Sequence, residues 1–192
     1  MAELLLQALR RAWEALEKLG LPMALMGGLA VAVWKHVRAT RDVDLLVGIE
    51  GTDSALLPRG LAGTGMRAKR DPAILQLGQL RILQLVCEPP GSSLEVQVDL
   101  LLADSPYHRQ ALTRRIPATV SDINLHVLAC EDLILHKLLT EWLIDRADAA
   151  ALLRLNRHGL DLTYLQHRSG ELRLQPALAE AWDEALPGEP PA

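Results

Sequence analysis

The chain has 192 residues, of which 49% are hydrophobic, and it carries a formal net charge of −4. This length suits one domain, or one domain with a helical appendage, and the hydrophobic content is sufficient for a packed core. The acidic balance argues against a protein that coats nucleic acid through a broad basic surface. The longest apolar run, residues 23–33, is too short to span a bilayer, so we expect no membrane association.

The two cysteines, Cys87 and Cys130, are far apart in the sequence and form no CxxC motif. This spacing is typical of small buried residues in a reducing compartment. The N-terminus lacks the basic-then-apolar order of a secretory signal, because Glu3 interrupts it early. We therefore expect a cytoplasmic protein whose cysteines have a structural role.

Hydrophobic periodicity divides the first part of the chain into two helices and two strands. Leucine residues recur at helical spacing until Gly20, where the first helix ends. Gly27 and Gly28 then form a turn between a strand and a helix, where free backbone N–H groups favour phosphate oxygens. The predicted elements are a helix over residues 2–19, a strand over 23–26, a helix over 29–36 and a strand over 42–47.

The middle of the chain predicts a β-hairpin around the Pro-Pro-Gly sequence at residues 89–91. Residues 94–101 alternate between apolar and polar side chains, which places Asp99 on the polar face of its strand. Asp145 is expected to cap a helix that Asp148 helps to solvate. The remaining predicted elements are a broken helix within 53–65, a strand over 80–86, a helix over 107–115, extended segments over 116–120 and 123–127, and helices over 131–141, 145–156, 160–167 and 176–186.

Three aspartates are the candidate chemical centre. Asp42 and Asp44 are two positions apart in a predicted strand, so both carboxylates project from the same face. Two such carboxylates repel each other and lose hydration, and a hard divalent cation such as Mg²⁺ between them compensates for both effects. Asp99 is expected on a strand of the same sheet. The three residues therefore predict a magnesium site.

A Gly-Gly turn, an Asp-x-Asp strand and a third Asp on a later strand resemble the nucleotidyltransferase superfamily with the polymerase-β-type fold. The sequence Gly-Gly-Leu-Ala…Val-Arg-Ala-Thr-Arg-Asp-Val-Asp-Leu-Leu-Val is similar to the small nucleotidyltransferases related to the AbiEii toxins of bacterial toxin–antitoxin systems, and so is Glu-Asp-Leu-Ile-Leu-His-Lys at residues 131–137. The resemblance covers residues 22–155. One departure is Leu29, which follows Gly28 where many superfamily members carry a Gly-Ser pair.

The resemblance implies an α+β fold, with a mixed β-sheet flanked by helices and a C-terminal helical extension. The implied domains are a nucleotidyltransferase core with its N-terminal helix over residues 1–128, and a helical region packing on that core over residues 129–192. The implied reaction moves a nucleoside monophosphate from a nucleoside triphosphate to a hydroxyl acceptor, with two Mg²⁺ ions expected when the triphosphate is bound.

The resemblance also implies roles for individual residues. Asp42 and Asp44 would hold the metal of the triphosphate, and Asp99 would complete the second metal site and help to deprotonate the acceptor hydroxyl. These three are therefore the candidate catalytic and metal-binding residues. The candidate nucleotide-binding residues include Gly27 and Gly28, whose lack of side chains lets the backbone approach the phosphates. The others are three cationic residues that would reach phosphate or acceptor: Arg38, Arg41 and Lys137.

The expected function is a toxin-like nucleotidyltransferase whose acceptor is an RNA or tRNA end or a protein hydroxyl, with an antitoxin as a candidate partner. Two alternatives stay open from the sequence. A small-molecule nucleotidyltransferase, for example one that modifies an aminoglycoside, would share the same core and differ in its acceptor pocket. A nucleotide-binding or partner-binding module would keep the fold without turnover.

Overall fold

The structure is a computed structural model that describes residues 2–78, 80–140 and 142–189. It forms two compact units, of which the first comprises residues up to 29 together with 39–128, and the second comprises residues 30–38 together with the chain from 129 onwards. The sequence-based division at residue 128 stays a prediction, and the compact units differ from it in assigning residues 30–38 to the second unit.

The described residues contain eight α-helices and eight β-strands, separated mostly by short connections. The strands are β1 Met23–Met26, β2 Asp42–Val47, β3 Met66–Ala68, β4 Ile74–Leu77, β5 Leu80–Cys87, β6 Val96–Leu102, β7 Ile116–Val120 and β8 Ile123–Val127. The helices are α1 Ala2–Lys18, α2 Gly27–Val33, α3 Leu57–Gly60, α4 Pro106–Thr113, α5 Cys130–Leu139, α6 Leu143–Asn156, α7 Leu162–Glu171 and α8 Gln175–Ala185.

All eight described strands belong to one mixed sheet in the first unit. Its order is β3-β5-β6-β2-β1-β8-β7, and β4 also pairs with β5. The β2–β6 and β1–β8 pairs are parallel, and the other pairs are antiparallel. Helix α1 packs against β2 and β6. The predicted fold class, a mixed sheet flanked by helices, is confirmed.

The core of the first unit lies between α1 and the apolar face of the central strands. Leu9 and Leu16 of α1 are completely buried, as are Val43 and Leu45 of β2. Each buried leucine contributes about 1.5–3 kcal/mol relative to an exposed one. Because Val43 and Leu45 point into this core, the intervening residues of β2 are directed to the opposite face.

In the second unit, α5 is buried on all sides from Cys130 to Leu138, and it packs against α6 and α7. A helix that is buried all round is expected to be hydrophobic all round, yet α5 carries Lys137 among its leucines. None of the helices in the described part of the chain combines the length and the apolar character that a bilayer crossing needs.

Some features of the structure differ from the sequence analysis, among them the start of α2, which is at Gly27 and not at residue 29. Strands β3 and β4 were not predicted, because segments of three and four residues are too short to establish a period. The prediction that Asp145 caps a helix is wrong: α6 begins at Leu143 after Trp142, and the Asp145 carboxylate instead accepts a hydrogen bond of 2.5 Å from the Thr140 hydroxyl.

Candidate active site

The parallel pairing of β2 with β6 brings the three aspartates to one face of the sheet. Asp44 is the register partner of Asp99 on the adjacent strand, and adjacent strands lie about 4.8 Å apart. Asp42 precedes Asp44 by two residues, so its side chain leaves β2 on the same face. Residues that are 55 positions apart in the chain thus become neighbours because two strands pair in a particular register.

The diglycine turn lies directly against one of these carboxylates. Gly27 has a φ of +64°, and a Cβ atom added to it would lie 1.9 Å from Oδ2 of Asp44. The antiparallel pairing of β1 with β2 explains this approach, because Met26 is the register partner of Asp44. Both the left-handed backbone and the lack of space therefore require glycine at position 27.

The two carboxylate oxygens of Asp99 differ in their hydrogen bonding. Gln97 Nε2 donates a hydrogen bond of 2.8 Å to Oδ2, whereas Oδ1 is buried and has no hydrogen-bond partner. Burial raises the pKa of Asp99 and outweighs the hydrogen bond from Gln97, and the negative charge of Asp42 raises this pKa further. The side-chain amide of Gln84 lowers the pKa of Asp99, but it makes no hydrogen bond of normal geometry to Oδ1.

Such a carboxylate is suited to bind a cation or to accept a proton. A buried polar atom without a partner is rare in a native protein, and it often marks an ion-binding or catalytic role. The carboxylates of Asp42, Asp44 and Asp99 are also the hard oxygen ligands that Mg²⁺ prefers. The residue types at this site therefore fit a divalent cation.

The side chains are not, however, arranged as a finished metal cage. Among the described residues, no three His, Cys, Asp or Glu side chains are grouped closely enough to hold a metal ion together. Neighbouring carboxylates repel each other, and two of them turn an oxygen towards a nearby donor instead. Asp42 accepts a hydrogen bond of 2.8 Å from the Thr40 hydroxyl, and Asp99 accepts the one from Gln97.

The sequence analysis did not assign a role to Thr40 or Gln97, although a signal was present. Each residue lies two positions before an aspartate, at Asp42 and Asp99 respectively. Gln97 shares β6 with Asp99, and since side chains alternate in a strand it lies on the same face as that carboxylate. Thr40 precedes β2, so its hydrogen bond to Asp42 follows from the loop before the strand and not from the strand period.

The structure places two of the predicted nucleotide ligands, Arg38 and Lys137, in the second unit, where they share a buried carboxylate. Arg38 donates to both oxygens of Asp148 at 2.7 and 2.6 Å. Lys137 Nζ lies 2.9 Å from Asp148 and 2.5 Å from Asp145. Asp148 is 1% exposed and Lys137 is 10% exposed, so the expectation that Asp148 solvates its helix is wrong.

This cluster affects the protonation of Asp148. Burial raises the pKa of Asp148, but the hydrogen bonds from Arg38 and Lys137 more than offset that effect and leave the pKa below its ordinary value. Asp148 is therefore an ionised carboxylate at neutral pH that compensates two cations. The remaining predicted nucleotide ligands are Gly28, which is buried in the first turn of α2, and Arg41, which is exposed just before β2.

Solved structures with this fold include two nucleotidyltransferase-type proteins. An antigenic nucleotidyltransferase-like protein from Paracoccidioides brasiliensis is 18% identical, with a TM-score of 0.51 over 92% of this chain and 91% of that one. The antibiotic-resistance factor ANT(2'')-Ia is 15% identical, with a TM-score of 0.55 over 90% of this chain and 92% of that one. At such identities the likeness shows the fold alone. No curated protein sequence matches the chain.

The sequence also matches a family profile along nearly its whole length. That profile describes the nucleotidyl transferase AbiEii toxin of type IV toxin–antitoxin systems, and it matches residues 7–189. The match includes the diglycine turn, the three aspartates and the Lys137–Asp148 cluster. The chain therefore belongs to the AbiEii family of nucleotidyltransferase toxins.

Proposed function

We propose that this nucleotidyltransferase is metal-dependent and moves a nucleoside monophosphate from a nucleoside triphosphate to a hydroxyl of a macromolecule, either an RNA or tRNA end or a protein side chain. The observation that carries the proposal is the pairing of Asp44 with Asp99 on adjacent parallel strands, with Gly27 against Asp44. Membership of a toxin family supports a nucleotide substrate and an antitoxin partner. The cytoplasmic location stays a prediction.

In this proposal Asp42, Asp44 and Asp99 would hold two Mg²⁺ ions. Bound Mg²⁺ would neutralise the triphosphate and the charge that develops on the attacking and leaving oxygens. The backbone of Gly27 and Gly28 would approach the phosphates, which the lack of side chains permits.

Asp99 has a second role in the proposal, as the proton acceptor. Its Oδ1 would take the proton of the acceptor hydroxyl while the hydroxyl oxygen forms a bond to the α-phosphorus. The bond from the α-phosphorus to the bridging oxygen breaks, and pyrophosphate leaves. A carboxylate whose pKa is raised by burial is better matched to this step than a fully solvated one.

The cations have a less direct place in the proposal. Arg38, Arg41 and Lys137 would contact phosphate or acceptor. Since Arg38 and Lys137 already hold Asp148, any phosphate contact would compete with these ion pairs or extend them. A lysine acts on phosphate as a point charge, whereas an arginine can bind two oxygens at once.

Label transfer tests the proposal. The protein is incubated with each α-³²P-labelled nucleoside triphosphate, Mg²⁺ or Mn²⁺, purified tRNA, total RNA and a protein lysate, and the products are resolved on gels. We expect one acceptor class to be labelled, and we expect both EDTA and Asp44→Asn to abolish the label. Absence of label with every nucleotide, metal and acceptor, or equal labelling by Asp44→Asn, would contradict the proposal.

A second candidate function is nucleotidyl transfer to a small cationic drug. The likeness to an antibiotic-resistance factor favours it, although that likeness concerns the fold. Expression of the chain would then raise aminoglycoside resistance without arresting growth, whereas a toxin would arrest growth. The remaining alternative is a module that binds nucleotide without turnover. Calorimetry with a triphosphate tests it, because binding without turnover in any assay would support that alternative.

A further inference from the structure

A hydrogen-bonded row of side chains leads from the edge of the sheet to Asp99. Lys69 lies just after β3, and its ammonium donates a hydrogen bond to Oε1 of Gln97 on β6. The Nε2 of the same Gln97 donates to Oδ2 of Asp99 at 2.8 Å. The backbone N–H of Lys69 is itself held by the carbonyl of Gln84 at 2.9 Å, so the base of the lysine is fixed to β5.

The chemistry of the three groups permits only one orientation of the Gln97 amide. An ammonium can only donate hydrogen bonds, and an ionised carboxylate can only accept them. The amide oxygen must therefore face Lys69 and the NH₂ must face Asp99. If the amide were flipped, both contacts would become repulsive. Lys69 thus stabilises the same orientation of the Gln97 amide that the Asp99 carboxylate requires.

We propose that Lys69 and Gln97 are positioning residues for Asp99: Lys69 orients the Gln97 amide, and the amide holds Asp99 by Oδ2 so that Oδ1 is kept for the metal or the acceptor hydroxyl. The inference rests on the proposed function, in which Asp99 is a metal ligand and proton acceptor. It accounts for the contrast between an Oδ2 that is hydrogen-bonded and a buried Oδ1 that has no partner. Hydrogen-bonding partners behind metal-ligating carboxylates are known to fix ligand geometry in this way.

The first test removes the amide. Gln97→Leu keeps the size of the side chain but cannot donate to Asp99, and Gln97→Glu keeps its shape while replacing the donor with an acceptor. We expect Gln97→Leu to lower Mn²⁺ affinity and kcat by about 10–100-fold. We expect Gln97→Glu to lower kcat in the same range because it repels Asp99, although its added charge attracts the cation. Mn²⁺ affinity is measured by electron paramagnetic resonance on the nucleotide-free protein, and circular dichroism confirms that each variant is folded.

The second test separates Lys69 from a general effect of charge. Lys69→Met removes the donor, and we expect a loss in the same direction but smaller than that of Gln97→Leu, because the Lys69–Gln97 bond is exposed. Lys69→Arg retains a donor and should restore Mn²⁺ affinity. Arg70→Met is the matched control, since it removes the same charge from the adjacent exposed residue and should leave Mn²⁺ affinity unchanged.

A double-mutant cycle decides whether Lys69 acts through Gln97. If it does, Lys69→Met has no further effect on Mn²⁺ affinity or kcat once Gln97 is leucine. An equal effect in both backgrounds would overturn the relay, and wild-type Mn²⁺ affinity and kcat in folded Gln97→Leu and Gln97→Glu would overturn the whole inference. Failure of the proposed function has a different signature, because the wild type would then transfer no label, or Asp99→Asn would match the wild type in both label transfer and Mn²⁺ affinity.

Discussion

Gly27, the first residue of α2, lies so close to Asp44 of β2 that a Cβ at residue 27 would be 1.9 Å from Oδ2 of Asp44. Gly27→Ala therefore has two costs, a left-handed backbone for a residue with a Cβ and a displaced carboxylate. We expect a drop in the free energy of unfolding of more than about 1–2 kcal/mol, and loss of nucleotidyl transfer.

Gly51→Ala is the matched control for this prediction. Gly51 also has a positive φ, of +73°, but no atom lies within 4 Å of the position of its Cβ. Only the backbone cost of about 1–2 kcal/mol applies there, and transfer should be unchanged. Denaturant unfolding and label transfer on both variants give the comparison. Equal effects on activity would show that the contact with Asp44 is not what requires glycine.

Asp99→Asn should abolish transfer without lowering stability. The substitution removes a buried negative charge whose Oδ1 has no partner, while its amide oxygen can still accept the hydrogen bond from Gln97. Loss of an unpaired buried charge is favourable. Thermal melts at pH 7.5 should therefore show an equal or higher Tm than that of the wild type.

Ligand-induced stabilisation completes this test. A ligand that binds only the folded state adds about 2.7 kcal/mol at 100 times its Kd. We expect Mg²⁺ with a non-hydrolysable triphosphate to raise the Tm of the wild type and of Asp104→Asn, but to raise that of Asp99→Asn less. Asp104 follows β6 and pairs with Arg81 at 3.1 Å. A Tm for Asp99→Asn well below that of the wild type would contradict the conclusion that Oδ1 of Asp99 has no hydrogen-bond partner in the nucleotide-free protein.

Asp148→Asn should be strongly destabilising at neutral pH. Asp148 is 1% exposed and compensates the positive charges of Arg38 and Lys137. Removal of one partner from a buried ion pair typically costs about 3–5 kcal/mol. Glu180→Gln is the control, because the Arg146–Glu180 pair of the same unit is exposed and should contribute at most about 1 kcal/mol.

The pH dependence of this effect has a definite sign. The pKa of Asp148 is lowered in the folded protein by Arg38 and Lys137, in spite of burial. Its stabilising contribution is therefore present above the ordinary aspartate pKa of about 3.9, and it is lost as the pH falls through the folded-state value. The difference in unfolding free energy between wild type and Asp148→Asn should shrink on acidification. A constant difference from pH 7 to pH 3 would contradict this account.

A paired substitution separates the structural role of Lys137 from its predicted nucleotide role. Lys137→Met alone leaves Asp145 short of its ion-pair partner and should be destabilising by about 3 kcal/mol. Lys137→Met with Asp145→Leu replaces this pair by apolar groups, which is often neutral, and leaves Asp148 paired with Arg38 alone. If Lys137 binds phosphate, the double variant regains part of the lost stability but keeps a raised KM for the triphosphate. If the double variant instead has the KM of the wild type, Lys137 has a structural role and does not bind phosphate.

Both cysteines should be unreactive in the native protein. Cys87 and Cys130 are buried and free. Burial raises the pKa of the Cys130 thiol to about 12 and also raises that of Cys87, despite the nearby Arg11 guanidinium. Because the thiolate is the reactive form, iodoacetamide at pH 8 should label neither residue until the chain unfolds. Mass spectrometry of native and denatured samples checks this, and labelling of the native protein would contradict it.

Short-range regularities explain why much of the site could be predicted from the sequence. Alternation over β2 and β6 assigns Asp42, Asp44 and Asp99 to the polar faces of their strands without any knowledge of the fold. The helix-capping rule fails for Asp145, because a carboxylate near the start of a helix can either cap it or turn to another helix. Packing of α5 against α6 decides between the two, and Asp145 pairs with Lys137.

The amino-acid order by itself determined most of the helices and strands and the faces on which the three carboxylates lie, because these depend on local periodicity. Its motifs also carried the resemblance to a family, and the mixed sheet was expected from that resemblance. Only the tertiary structure decided that Asp44 stands beside Asp99, that position 27 has no space for a side chain, and that Arg38 reaches Asp148 across 110 residues. The physical reason is that strand pairing and burial of charge are long-range. Their outcome depends on which segments pack together, and no local pattern encodes that choice.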